Sequence, residues 1–539
     1  MIIGIAQINP YVGAIEKNKQ LILDCIETAR SNLHVETLIF PELALTGYPP
    51  EDLLYRPELY NQIRQAIDDL ESNCQNINII FGYPRRDEGK IYNSCGYIKD
   101  GRLDATYDKM VLPNYGVFDE VRYFSAGLQP CLIQLGDIKA SLTVCEDIWD
   151  PMPAAQAKQH GAELIININA SPFHANKLSE REAVLTARNK ETGLPIIYTN
   201  LNGGQDELVF DGGSMIIDSD GSIKAVAPQF KDGIFTLTLE KQNDRISFTA
   251  DWTDNRDSSD SSSVYQALVL ATKDYVNKNG FNGVVIGLSG GIDSALVTCL
   301  AVDALGADNV EVIMMPSRYT AKMSIDDSVA LARNLGIEHK IIPIEKPYSA
   351  FMELLEPLFK DTSTDTTEEN IQARSRGVIL MAISNKSRRL VLATGNKSEM
   401  AVGYATLYGD MAGGFSPLKD IPKLQVYALA KYINQQQMLI PQRIIDRPPS
   451  AELRDDQKDE DSLPPYDILD PILKMYIEED KSPQQIIESG YSKDHVLPVI
   501  NLVDQSEFKR RQAPPGVKIS KRAFGKERRY PITSGYRES

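Results

Sequence analysis

The stretch "SLTVCEDIWD", residues 141–150, carries a cysteine where an apolar run gives way to acidic residues. A cysteine of this kind is often a small core residue; as a nucleophile, Cys145 needs a group to take its proton. Of the five histidines only His160 and His174 lie near it in sequence, so a Cys–His pair is one arrangement to consider. Two other residues occupy equivalent places: Glu42 follows the run "TLIFPE" and Lys109 follows "ATYDK". A carboxylate can accept the thiol proton, and a lysine can favour a thiolate and stabilise an oxyanion. Glu42, Lys109 and Cys145 would therefore suffice for acyl transfer without histidine or metal. A second chemical signal is "GLSGGIDSAL", where Ser289, Gly290 and Gly291 precede Ile292, Ala295, Leu296, Cys299 and Leu300 at helical spacing. Small residues at a helix N-terminus let backbone N–H groups approach a phosphate, and the helix dipole favours its charge.

These residues need elements to hold them. In "IKASLTV", Ile138, Ala140, Leu142 and Val144 alternate, which predicts a strand ending at Cys145. The runs "VETLIF", "INIIFGY" and "ELIINI" likewise read as strands, and "IEKNKQLILDCIETAR" as a helix, giving an α/β pattern. After "TADWTDNRDSSDSSS", residues 249–263, where Asp and Ser replace the apolar periodicity, "GVVIGL" and a following helix restart the alternation. We therefore expect a first domain over residues 1–245, a linker over 246–263 and a second domain over 264–539. No solenoid-type repeat is present.

Three segments of the first half, "FPELALTGYPPEDLL", "YDKMVLPNYGVFDEVRYF" and "VCEDIWD", resemble the Glu, Lys and Cys segments of the nitrilase, or carbon-nitrogen hydrolase, superfamily, in the same order. The resemblance implies a four-layer α-β-β-α sandwich, with Glu42 as general base, Lys109 as oxyanion stabiliser and Cys145 as the nucleophile that forms a thioester. It also implies that Glu120 is the second glutamate near the lysine. Tyr48, Tyr115, Glu120 and Ser171 are the expected glutamine-binding positions.

The loop "SGGIDS" lacks the G-K-[ST] ending of a Walker A loop and is similar to the PP-loop of ATP pyrophosphatases, which split ATP between the α and β phosphates. "ENIQARSRGVILMAISN", "VLATGNKSEMAVGYATLYGDMAGGFSPLKDIPK" and "EFKRRQAPP" are together similar to the NAD synthetase family. This implies a Rossmann-like parallel-sheet domain, with Gly287, Ser289, Gly290, Gly291, Asp293, Ser294 and Thr394 at ATP. Asn370, Arg374, Glu399, Asp410, Lys423 and Lys509 are implied at deamido-NAD, with Asp293 and Glu399 holding Mg²⁺. Lys509 and Arg510 fit a phosphate-neutralising role. Residues 447–467, rich in charge and proline, read as a loop whose counterpart closes over the site in that family.

The two resemblances together predict ATP-dependent amidation of deamido-NAD by ammonia released from glutamine, yielding AMP, pyrophosphate and glutamate. Joining the domains has a physical rationale, because free ammonia is largely protonated, and so not nucleophilic, at neutral pH. Alternatives are another PP-loop amidotransferase acting on a different carboxylate, or a glutamine- or nucleotide-binding regulator.

Composition agrees with small-molecule partners. At 539 residues the chain exceeds one hydrophobic core, and its net charge of −17 disfavours nucleic acid or an anionic membrane as main partner. Six cysteines without a CxxC pair and no secretory leader predict a reduced, cytoplasmic protein. No apolar run reaches the roughly 20 residues of a membrane span. The resemblance to NAD synthetases implies a homo-oligomer, either a dimer through the second domain or an octamer.

Overall fold

The computed structural model of the chain describes residues 1–243, 245–252, 260–454 and 457–536. Residues 253–259, at the centre of the expected linker, lie outside the described residues, as do Asp455 and Asp456 of the 447–467 stretch. The chain divides into two compact units, Met1–Gln205 with Val209–Asp260, and Asp206–Leu208 with Ser261–Ser539.

The first unit is built on strands β1 (Ile2–Gln7), β2 (Thr37–Ile39), β3 (Asn78–Asp87), β4 (Lys90–Lys99), β5 (Arg102–Asp108), β6 (Cys131–Leu135), β7 (Ile138–Val144), β8 (Leu164–Asn169), β9 (Ile196–Asn200), β10 (Asn202–Gln205), β11 (Leu208–Asp211), β12 (Met215–Ile217), β13 (Ile223–Val226), β14 (Gly233–Gln242) and β15 (Arg245–Ala250). One sheet has the order β15-β14-β1-β2-β3-β4-β5 and the other β13-β12-β9-β8-β7-β6, with β10 and β11 paired separately. The two sheets face each other through a shared core in which Ile5, Ile80 and Tyr97 meet Leu142, Ile166 and Ile197. Helices α1 (Ile15–Ser31) and α2 (Pro57–Asn73) pack together, with α2 against β3 of the first sheet. Helices α3 (Pro151–Gln159) and α4 (Lys177–Thr192) supply Ala154, Ala157 and Leu185 to the outer face of the second. The layers are therefore α-β-β-α. A strand covered on both faces has no reason to alternate, and all of "LIININ" in β8 is buried.

The expected linker of residues 246–263 starts inside β15, which pairs with β14 over Leu237–Gln242, and ends inside helix α5 (Asp260–Lys278). Beyond α5 come β16 (Val284–Gly287), helix α6 (Ile292–Leu305), β17 (Val310–Met314), β18 (Glu338–Ile341) and β19 (Leu390–Leu392). All pairings are parallel, in the order β18-β17-β16-β19. The order reverses beside β16, and the crevice at such a reversal, beyond the carboxyl ends of the strands, is where doubly wound sheets bind ligands. The 288–291 loop leaves β16 at that point. A separate helical cluster around Leu469, Ile472, Val499 and Val503 completes the unit. Among the described residues no helix is long and apolar enough to cross a membrane.

Candidate active sites

In the first unit, the ends of β2, β5 and β7 bring Glu42, Lys109 and Cys145 together, all buried. Glu42 reaches its place because Gly82 in β3 lets the backbone pass: a Cβ there would stand 2.1 Å from the Leu43 nitrogen. The Lys109 ammonium donates to Glu42 Oε1 at 2.9 Å and to Glu120 Oε1 at 2.9 Å. Glu42 also accepts from Asn93 Nδ2 at 2.7 Å and from the Ala170 N–H at 2.8 Å. Tyr48 donates its hydroxyl to Glu120 Oε1 at 3.0 Å.

Cys145 opens a short 3₁₀ turn, Cys145–Ile148, with φ +46, a left-handed conformation that costs a non-glycine residue roughly 1–3 kcal/mol. Burial pushes its thiol pKa well above the ordinary value; the Glu42 charge adds to this and Lys109 opposes it. Burial also works against the Lys109 ammonium, but Glu120 and Glu42 outweigh it and hold its pKa well above normal. Glu120 is pushed up to about 7 by burial, with Lys109 pulling the other way. Burial thus favours the neutral thiol, beside a lysine whose ammonium two carboxyl groups favour.

Tyr115 is exposed and donates to Glu146 Oε1 at 2.9 Å. Ser171 donates its N–H to Asn200 Oδ1, while its Oγ accepts from Arg181 Nε at 3.2 Å. Glu120, expected both beside the lysine and at glutamine, is seated as the second carboxylate on Lys109. His160 is exposed and its Nδ1 meets the Gln156 carbonyl, while His174 faces the Ala175 carbonyl and Glu180. Sequence reasoning missed Asn93, Asp147 and Arg181; the last is wholly buried against Asp211 at 2.8 Å.

In the second unit, a cleft of about 290 Å³ opens over the 289–294 turn. Gly290 has φ +82, and a Cβ on it would stand 2.5 Å from the Ser324 carbonyl oxygen, so only glycine fits. Ser289 Oγ accepts from the Gly291 N–H at 3.2 Å and lies 3.1 Å from Ser294 Oγ. Gly291 caps α6 without a side-chain bond, which leaves first-turn N–H groups for an anion. Gly287, Ser289, Gly291, Asp293 and Ser294 line the cleft, as do Thr394, Glu399, Asp410 and Lys423.

The Lys423 ammonium donates to Asp293 Oδ2 at 2.6 Å and Glu399 Oε1 at 3.4 Å. Asn396, unremarked in the sequence, donates to Asp293 Oδ1 at 2.8 Å and caps the helix that carries Glu399. Burial raises Glu399 to about 8 and Asp410 to about 6, and lowers the lining residue Arg376 to about 10. Of the expected dinucleotide residues, three surround one loop: Thr406 donates to Asn370, Arg374 donates to the Leu407 carbonyl, and Lys509 donates to the carbonyls of Gly403 and Ala405. That loop supplies Tyr404, Ala405, Gly409 and Asp410 to the cleft.

Arg510 corrects the expectation of a phosphate neutraliser. It is buried and its donors go to Glu507, the Ala401 carbonyl and the Val503 carbonyl. Within 447–467, Arg447 donates to the Gly290 carbonyl at 2.9 Å and to Ser324 Oγ at 2.7 Å, and Pro448–Leu453 line the cleft.

Comparison with known proteins matches residues 2–245 to the carbon-nitrogen hydrolase family and residues 264–513 to the NAD synthase family. The glutamine-dependent NAD(+) synthetase of Xanthomonas campestris pv. campestris is 47% identical over 99% of this chain and 97% of its own length. That of Acinetobacter baylyi is 46% identical over 99% and 98%. The solved glutamine-dependent NAD(+) synthetase of Acinetobacter baumannii, in complex with adenosine diphosphate, is 41% identical with a TM-score of 0.80, covering 100% of this chain and 99% of that one. The chain belongs to the glutamine-dependent NAD(+) synthetase family and carries out the ATP-dependent amidation of deamido-NAD with glutamine as the nitrogen donor.

Proposed function

We propose that the first unit releases the ammonia and the second uses it, with the roles divided as follows. Cys145 Sγ attacks the side-chain amide carbon of glutamine while Glu42 takes the thiol proton. Lys109, charged because two carboxylates hold it, stabilises the oxyanion. Glu42 returns the proton to the departing nitrogen, ammonia leaves, and water, deprotonated by Glu42, cleaves the thioester to glutamate. Tyr48, Tyr115 and Ser171 border the amide substrate. The observation that carries this reading is the Lys109 ammonium held at 2.9 Å by both Glu42 and Glu120 beside a buried thiol.

In the second unit, the deamido-NAD carboxylate attacks the α-phosphorus of ATP, pyrophosphate leaves, and ammonia displaces AMP from the acyl adenylate. Ser289, Gly290, Gly291, Ser294 and Thr394 hold the phosphates, and Arg376 adds a cation the sequence did not single out. Asn370, Arg374 and Lys509 act on the dinucleotide through the 403–410 loop, which also carries Asp410.

The residues fit magnesium as a phosphate-bound ion. Among the described residues no group of three or more metal-ligating side chains gathers, but Asp293 and Glu399 converge on Lys423, and Mg²⁺ needs only one or two carboxylates when phosphate oxygens complete its shell. When bound by Asp293 and Glu399 it would supply positive charge to the phosphates. Lys423 holds those carboxylates in place.

Self-association through the second unit is supported by exposed apolar side chains: Leu354 and Leu358 are each 73% exposed on helix Glu345–Phe359, and Val378 and Met381 are exposed on helix Thr366–Ser387. All six cysteines are free, which supports a reducing, cytoplasmic setting.

Paired assays test the division of labour. Cys145→Ala should lose glutamine-driven NAD formation and keep ammonia-driven formation; persistent glutamine use would remove Cys145 from the mechanism.

A further inference from the structure

Asp147, two residues after the nucleophile, is wholly buried and its carboxylate is saturated by donors from two separate segments. Its Oδ1 accepts the N–H groups of Met110 at 3.0 Å and Val111 at 2.8 Å, the two residues immediately after Lys109. Its Oδ2 accepts the N–H of Val144 at 2.9 Å, immediately before Cys145, and the Tyr107 hydroxyl at 2.8 Å, two residues before Lys109. A cap for a one-turn 3₁₀ segment needs only the Val144 bond. The other three tie that turn to the end of β5.

Lys109 has backbone bonds of its own, its N–H to the Asn93 carbonyl at 2.9 Å and its carbonyl from the Gly127 N–H at 2.8 Å, but neither bond reaches the Cys145 turn. Cys145 sits at φ +46, a conformation that persists only where its surroundings over-determine it. Lys109 must present its ammonium to the reacting carbonyl within about half an ångström for the oxyanion contact to count. We propose that Asp147 is a positioning residue for glutamine hydrolysis, a single carboxylate that locks the Lys109 and Cys145 segments to each other. It touches no reacting atom and acts through the two residues it joins. The inference rests on the assignment of Lys109 and Cys145 to catalysis.

A carboxylate is the group that suits this place. Three N–H donors and one hydroxyl need four acceptor sites, which an ionised Asp offers and an amide or a protonated acid does not. Burial raises Asp147 to about 6, while its backbone bonds, the Lys109 charge and the Tyr107 hydroxyl hold it down. Lys109 and Tyr107 face it from β5 and its end; Cys145 and Glu146 share its own turn. Protonation on the acid side of that value therefore withdraws acceptor capacity from the clamp. Glu120, raised to about 7, also titrates nearby, but the Tyr107 hydroxyl donates to Asp147 and not to Glu120.

The test uses the full-length protein with Asp147→Asn, Tyr107→Phe and, as a reference, Cys145→Ala. Glutamine hydrolysis is followed as glutamate release over a pH series, together with ammonia-driven NAD formation and thermal melting. Asp147→Asn should lower kcat for glutamine about 100-fold while KM stays within about threefold, because geometry at the reacting centre is lost and substrate contacts are not. Tyr107→Phe should lower kcat roughly threefold to tenfold, the loss of one hydrogen bond to a charged group. It should also move the acidic limb of kcat to higher pH, because removing a donor to the carboxylate raises its pKa. Ammonia-driven synthesis should be unchanged in both.

Should Asp147→Asn lose its melting transition, the Tyr107→Phe pH limb alone decides. An unmoved limb overturns the proposal. A rise in KM at constant kcat overturns it as well, since that pattern belongs to substrate binding. Glutamine hydrolysis surviving in Cys145→Ala would instead defeat the underlying catalytic assignment.

Discussion

The two candidate active sites handle charge in opposite ways. In the first unit, Glu42, Lys109 and Cys145 are 0%, 0% and 3% exposed, and every charge is pinned by short hydrogen bonds. In the second, a cleft of about 290 Å³ is bordered by charged groups, Lys423 paired with Asp293 and Glu399 and Arg447 with Glu452. The contrast follows from the substrates. A small neutral amide needs proton transfers in a dry, fixed frame, where an oxyanion contact is worth most. Polyphosphates bring their own charge, so the cleft needs room, N–H donors and ion pairs that can be exchanged for substrate contacts.

The largest way to break the contrast is Asp293→Ala. NAD formation should fall about 1,000-fold with either nitrogen source, as expected for losing electrostatic support at the reacting phosphates. Glutamate release without ATP should stay within about twofold of the unaltered protein. Full synthesis in that variant would remove Asp293 from phosphate chemistry. Glu120→Gln is the next in size: Lys109 keeps one carboxylate instead of two, and kcat for glutamine should drop about 100-fold while ammonia-driven synthesis holds. An unchanged glutaminase rate would make Glu120 a bystander.

A smaller effect sharpens the account of the dry site. Burial, with Glu42 reinforcing it, holds the Cys145 thiol well above its usual pKa, so it rests as the unreactive thiol. Alkylation by iodoacetamide without substrate should then accelerate steadily from about pH 6 to about pH 9 with no plateau, because the thiolate fraction keeps rising across that window. A plateau below about pH 8 would show a preformed thiolate.

Much of this was legible in the sequence because it is local. "IKASLTV" alternates and ends at Cys145, and "VVIGLSGGIDSAL" runs from β16 through the turn into α6. Both sites therefore stand at strand ends, as the pattern implies. What was not legible depends on partners far away along the chain. The Ala170 N–H on Glu42 spans 128 residues, and Lys423 reaches Asp293 across 130. Asn93 lies inside the run "IYNSCGYI", where nothing marks it off from its neighbours until Glu42 is placed beside it. Arg510 misleads for the converse reason: in a basic run it reads as a phosphate ligand, yet its donors are spent on Glu507 and backbone carbonyls. Composition gives charge but not the direction in which a side chain is used.

The central claim is that nitrogen freed at Cys145 is the nitrogen installed by the second site. Glutamine labelled with ¹⁵N in its side-chain amide, supplied with ATP, deamido-NAD and an excess of unlabelled ammonium, tests it in one mass spectrum of the product. NAD should carry ¹⁵N well above its share of the total pool, and Cys145→Ala should yield only unlabelled NAD. Unlabelled NAD from the unaltered protein would contradict the account.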